Sequence, residues 1–190
     1  MNSNKIVIVE SFLQDTDIYL KVNGMSMYPF MRDGDIIKIT KITAKDMKIG
    51  DIILFKTSED ILVAHRLISK NKETYLTKGD ARLGSDSKIM KSHLVGRTSS
   101  IQTRNGIDIP LDTKMIRFLF YIMALHSRTW DEVTRYLTKN NHIIRNALSA
   151  TEGEFYLIIN KLYRSTYMLL PQILSLSLRL YCFFLTNCCK

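Results

Sequence analysis

Val63-Ala64-His65-Arg66-Leu67-Ile68 is a run of branched and aliphatic residues with one histidine inside it, and Tyr75-Leu76-Thr77-Lys78-Gly79-Asp80-Ala81 is a second run that closes on a Gly-Asp turn. Short runs of this kind, bounded by Gly, Asp and Asn, read as β-strands. Working outward, the chain repeats the pattern at 17–22, 35–42, 51–56, 61–69, 74–78 and 93–104, with turn signals at Asp33-Gly34, Gly50-Asp51, Gly79-Asp80 and Asn105-Gly106. A spacing of roughly ten residues favours a small antiparallel barrel or sandwich over alternating βαβ units.

Beyond residue 110 the pattern changes. Gly153 is the only glycine there, and apolar residues recur at helical spacing: Ile116, Leu119, Phe120 and Met123, then Val133, Tyr136 and Leu137, then Phe155, Ile158, Ile159 and Leu162. Thr151 with Glu154 three residues on is a helix-start signal. The expected organisation is a β-rich domain over 1–110 and an α-helical extension over 111–190.

Composition narrows the classes. At 190 residues, 46% hydrophobic and 24% charged, the chain suits a globular domain with an appendage and excludes a disordered tail or a collagen. The cysteines, Cys182, Cys188 and Cys189, crowd at the end, so no disulfide framework staples the body. No zinc-ligand spacing occurs, and neither metal nor cofactor is expected. The net charge of +9 falls unevenly: 17 basic and 13 acidic residues up to residue 110, 10 and 5 after it. An anionic partner therefore points to the tail. No helix-turn-helix or aromatic-interleaved basic patch appears, so nucleic acid is not an expected partner.

One constellation carries chemistry. Gly24-Met25-Ser26-Met27-Tyr28-Pro29 follows a strand and precedes a hairpin signal. A serine so placed is ordinary by itself. His65 and Asp80 supply what would activate it, since a serine hydroxyl needs a base to take its proton, and a carboxylate on the far ring nitrogen fixes the imidazole tautomer.

Ser26-Met27-x-Pro29, Gly34-Asp35, Gly50-Asp51-Ile52-Ile53-Leu54-Phe55, His65-Arg66 and Gly79-Asp80, in that order, resemble the successive boxes of type I signal peptidases and their relatives, which share a β-rich catalytic fold with LexA-type self-cleaving repressors. The resemblance covers about 17–97. It implies a mainly β protein: a small antiparallel signal-peptidase/LexA-like β-barrel with a helical C-terminal extension. Bacterial signal peptidases and LexA-type proteins use a lysine base. His65 before Arg66 instead resembles the endoplasmic-reticulum and archaeal type, with its Ser-His-Asp machinery. The resemblance implies Ser26 as nucleophile, His65 as general base and Asp80 as the supporting acid, with Asp86 in Gly84-Ser85-Asp86-Ser87 as the alternative acid. The Ser26 backbone N–H would donate to the oxyanion. Where signal peptidases often carry a second donor, two positions before the nucleophile, this chain has Gly24.

The implied function is a serine endopeptidase that cleaves a peptide leader or signal-like segment with small residues before the cut. A non-catalytic module holding a peptide strand on the same barrel is the alternative. The first 25 residues hold no secretory or stop-transfer segment, only a short apolar run at 6–9, so the expectation is a relative of the short, anchorless signal-peptidase-like proteins of bacteria. A cytoplasmic or peripherally membrane-associated protein follows. Arg117, Arg128, Arg135, Arg145 and Arg164 would help the tail meet a membrane surface. The alternative is an anchor through the apolar segment 167–185, interrupted by Pro171, Gln172 and Arg179.

Overall fold

The computed structural model describes residues 16–43, 45–143 and 151–188. The run at 6–9, Arg145 and Cys189 lie outside them, as do the side chains of Phe155, Cys182 and Cys188. Eight strands are described: β1 (Ile18–Lys21), β2 (Ile36–Thr40), β3 (Ile52–Lys56), β4 (Leu62–Lys70), β5 (Thr74–Lys78), β6 (Ile89–Met90), β7 (Leu94–Gln102) and β8 (Asp108–Pro110). They form one antiparallel sheet in the order β1-β2-β7-β3-β4-β5-β6, with β8 added on β7, curled into a half-barrel. The two short strands β6 and β8 have no counterpart in the sequence reading.

Register explains the curl. Irregularities between Lys38 and Ile39, Leu54 and Phe55, and Leu67 and Ser69 interrupt three ladders, and an extra residue on one strand bends it and increases its twist. The curled sheet buries β3 on both faces. Ile52 and Leu54 pack with Met27, Phe30, Met31, Ile37 and Ile101, whereas Ile53 and Phe55 pack with Met47, Leu67, Tyr75 and Ile89. Its unbroken apolar run is the signature of a strand covered on both sides.

Helix α1 (Lys114–Lys139) begins where Thr113 accepts a hydrogen bond from the Ile116 N–H. Its buried line runs through Ile116, Phe120 and Met123 and continues through Ser127, Asp131 and Thr134. Of the helically spaced apolar residues Val133, Tyr136 and Leu137, the first two are exposed. The continuous helix keeps one face on the sheet, and that face turns polar where it meets the loop after β5. Gly50, with φ +100°, lets α1 approach: a Cβ there would lie 2.7 Å from the Phe120 carbonyl oxygen.

Helix α2 (Glu152–Leu162) starts with the capping box its sequence suggests, Thr151 and Glu154 satisfying each other's backbone N–H groups. A π-helical turn, Tyr163–Tyr167, leads into α3 (Leu169–Cys188). Leu178 joins the larger sheet core, and Ser175 and Arg179 donate to the Pro29 and Phe30 carbonyls, each at 3.0 Å. Among the described residues no helix is long and apolar enough to cross a membrane. The membrane-anchored alternative therefore finds no support, because α3 spends Ser175, Leu178 and Arg179 on the sheet domain.

Candidate active site

Ser26 sits in the turns after β1, in a segment pinned from both sides. Asp33 accepts the Gly24 N–H at 2.9 Å, and buried Met27, Pro29, Phe30 and Met31 draw the next residues into the core. The Ser26 carbonyl accepts the Ala81 N–H at 2.8 Å. That bond ties the serine to the loop after β5. Gly24 has φ +98°, a conformation in which a serine or threonine would be strained, which accounts for the lack of a hydroxyl at that position.

His65 lies in the middle of β4 and is 4% exposed. Its Nε2 is 3.0 Å from Ser26 Oγ, and its Nδ1 is 2.7 Å from Asp86 Oδ2. The Phe55 ring meets the imidazole edge-on, with centroids 6.2 Å apart. Asp86 is itself held, because its Oδ2 accepts the Thr77 hydroxyl at 2.7 Å and its N–H donates to the Thr77 carbonyl at 2.8 Å. Burial pushes the Asp86 carboxyl up, but the His65 hydrogen bond and charge, the Thr77 hydroxyl and Arg82 outweigh it and leave its pKa below the ordinary value. An ionised Asp86 on Nδ1 favours the tautomer whose Nε2 accepts from Ser26.

Asp80 is placed elsewhere. Both its carboxylate oxygens accept from Arg66, at 2.8 Å to Nε and 2.7 Å to Nη2, and both side chains are fully buried. Arg66 also donates to the Gly50 carbonyl at 3.0 Å, and its guanidinium lies 4.2 Å from the centroid of Phe120. The expectation that Asp80 backs His65 is thus corrected, and the physical reason is strand geometry. Neighbouring side chains in β4 point to opposite faces, so Arg66 meets Phe30 and Phe120 in one core while His65 meets Phe55 in the other. Asp80 lies on the first side and Asp86 on the second. The other two Gly-Asp pairs are also buried braces: Asp35 accepts the Arg32 N–H, and Asp51 the Lys48 N–H.

A buried lysine stands near the site without joining it. Lys78 Nζ donates to the Tyr167 hydroxyl at 3.0 Å and lies over that ring at 4.2 Å, and Tyr167 in turn pairs with Ser127 at 2.6 Å. Burial pushes Lys78 down to about 8 against the pull of Asp80, Asp131 and Asp86. Two residues escaped the sequence reading: Thr77, and Asp131 on α1, whose Oδ1 accepts the Ser85 N–H at 2.7 Å. Asp131 was detectable as an acid in step with the buried line of α1. Thr77 gave no signal, since only its pairing with Asp86 singles it out.

Residues 2–92 of the chain match the family model described as Peptidase S24-like. No curated protein matches it. The family match supports placement of the β-rich part in the superfamily of signal peptidases and LexA-type proteins, with serine peptidase-type function.

Proposed function

We propose that this chain is a serine endopeptidase that acts through an acyl-enzyme on Ser26, with His65 as general base and Asp86 as the acid that orients it. The observation that carries the reading is the relay itself: Ser26 Oγ to His65 Nε2 at 3.0 Å and His65 Nδ1 to Asp86 at 2.7 Å. These are distances at which a proton passes along hydrogen bonds.

In the reaction His65 Nε2 takes the Ser26 proton as Oγ attacks the scissile carbonyl, and the imidazolium is stabilised by Asp86. The same proton then goes to the leaving amine, and water, deprotonated by His65, releases the acyl group. The Ser26 N–H donates to no other group in the described structure, which suits it to the developing oxyanion; one such donor is worth about 3 kcal/mol. The motif boxes support a substrate of the leader or signal-like class, with small residues before the cut.

The test is cleavage of leader-like peptides carrying Ala or Gly before the cut. Wild-type protein should produce two fragments and Ser26→Ala none, both variants giving the same thermal unfolding midpoint. Equal cleavage by Ser26→Ala sinks the reading. No cleavage and no covalent serine adduct in folded wild-type protein would favour the non-catalytic peptide-binding module.

A further inference from the structure

A cavity of about 610 Å³ opens between the connection before β3, the middle of β7 and the first turns of α1. None of Ser26, His65 or Asp86 lines it. Lys45, Lys48, Lys70, Arg97, Lys114 and Arg117 do, against one lining carboxylate, Asp51. Asp51 lies 3.4 Å from Arg117 and 3.9 Å from Arg97, and Asp112, outside the cavity, lies 2.5 Å from Arg97 and 3.8 Å from Arg117. Lys70 donates to the Met47 carbonyl. Lys45, Lys48 and Lys114 form no ion pair among the described residues. Asp51 and Asp112 meet the two arginines, and the lysines are the cation excess left at this opening.

Two further features bear on what the cavity can receive. Thr98 lines the cavity and is 1% exposed, and its Oγ1 has no hydrogen-bond partner; Arg97, also in the lining, leaves its Nε unpartnered while its Nη1 holds Asp112. A buried polar atom left without a partner is costly unless something fills the gap. Lys114 and Arg117 also stand in the first turn of α1, which holds no acidic residue. Cations at that end oppose the helix dipole, whereas an anion there would satisfy both the dipole and the side chains.

We propose that this cavity binds a phosphate group, either as a free phosphorylated small molecule or as a phospholipid headgroup. A single carboxylate would leave most of the positive charge unmet, whereas a phosphate ester or pyrophosphate brings several acceptor oxygens and more than one charge. The volume falls in the range of small-ligand sites, and the exposed side chains of Phe118 and Tyr121 in its lining offer an apolar surface to the rest of the molecule. The site needs no part of the peptidase mechanism. It also revises where the tail's charge acts: Arg117, Arg128 and Arg135 are each paired with a carboxylate, and the unpaired cations at this cavity come from both sides of residue 110.

The experiment is calorimetric titration of the full chain with inorganic pyrophosphate, beside co-sedimentation with vesicles of phosphatidylcholine alone and with added phosphatidylglycerol. Lys48→Ser combined with Lys114→Ser removes two exposed, unpaired cations and should leave the unfolding midpoint in place; Arg128→Ser is the control for surface charge. Pyrophosphate binding that weakens about tenfold in the double variant and is unchanged in the control supports a free phosphate ligand. Sedimentation only with phosphatidylglycerol vesicles, lost in the double variant alone, supports a headgroup. Binding of neither probe up to about 1 mM, or equal loss in double variant and control, overturns the site.

Discussion

His65 and Arg66 are adjacent in β4 and hold different aspartates: His65 Nδ1 lies 2.7 Å from Asp86, while Arg66 grips Asp80 through two bonds of 2.8 and 2.7 Å. One pair sits in the candidate relay and the other braces the core. The same substitution at the two aspartates should therefore fail in different ways.

Asp86→Asn is expected to leave the protein folded while lowering kcat by about three to four orders of magnitude, because an amide cannot hold the tautomer that accepts from Ser26. Asp80→Asn should instead cost about 3 to 5 kcal/mol of stability, since it strips the charge partner from a fully buried guanidinium. Unfolding midpoints and steady-state kinetics on the two variants check the split. Reversal of the two phenotypes would return the supporting role to Asp80.

Asp131 accepts the Ser85 N–H at 2.7 Å and is expected to act on the relay as a positioning residue through that bond. Asp131→Ala should free the loop that carries Asp86 and lower kcat roughly tenfold or more with KM little changed. Kinetics compared at a temperature where wild type and variant are both fully folded separate this from simple destabilisation. A change confined to KM would contradict it.

Stability should rise with pH above about 8. Lys78, held down to about 8 from an unfolded value of 10.5, binds fewer protons folded than unfolded between those limits, so unfolding free energy increases through that window by up to about 3 kcal/mol. Burial raises Tyr163 and Tyr167 well above the ordinary tyrosine range, so these neutral phenols oppose the trend once pH passes their unfolded values near 10. Asp86, depressed in the fold, contributes stability that is lost as pH falls through the acid range below its ordinary value. Denaturant melts from pH 3 to 11 on wild type and Lys78→Met read this out, and the variant should lack the rise between about 8 and 10.

Gly50→Ala should destabilise by about 2 kcal/mol or more. Its methyl group would meet the Phe120 carbonyl oxygen at 2.7 Å, on a backbone with φ +100° that alanine resists. Thermal unfolding is the measurement, and an unchanged midpoint would mean that α1 can shift to make room.

The six longer strands were legible because short runs of Ile, Val, Leu, Tyr and Thr and the Gly, Asp and Asn that punctuate them are local signals. β6 and β8, of two and three residues, are defined by their partners on β5 and β7 and leave no local pattern. The serine and histidine could be picked out for the same local reason, each lying within a short motif. The choice between Asp80 and Asp86 was not local. It depends on which face of β4 each loop residue reaches, and the more conspicuous Gly79-Asp80 motif is the one that serves Arg66. The buried face of the second half of α1 was not legible because it runs through Ser127, Asp131 and Thr134, polar residues whose place in the interior depends on partners such as Tyr167 and the Ser85 N–H.

In the proposed mechanism His65 makes Ser26 a nucleophile. Treatment with a fluorophosphonate followed by intact-mass and peptide mapping tests it most directly. Wild-type protein should carry one phosphonyl adduct, on Ser26, and Ser26→Ala none, with labelling slowed by about two orders of magnitude or more in His65→Ala. Folded wild-type protein that stays unmodified, or a Ser26 adduct that forms equally fast without His65, would contradict it.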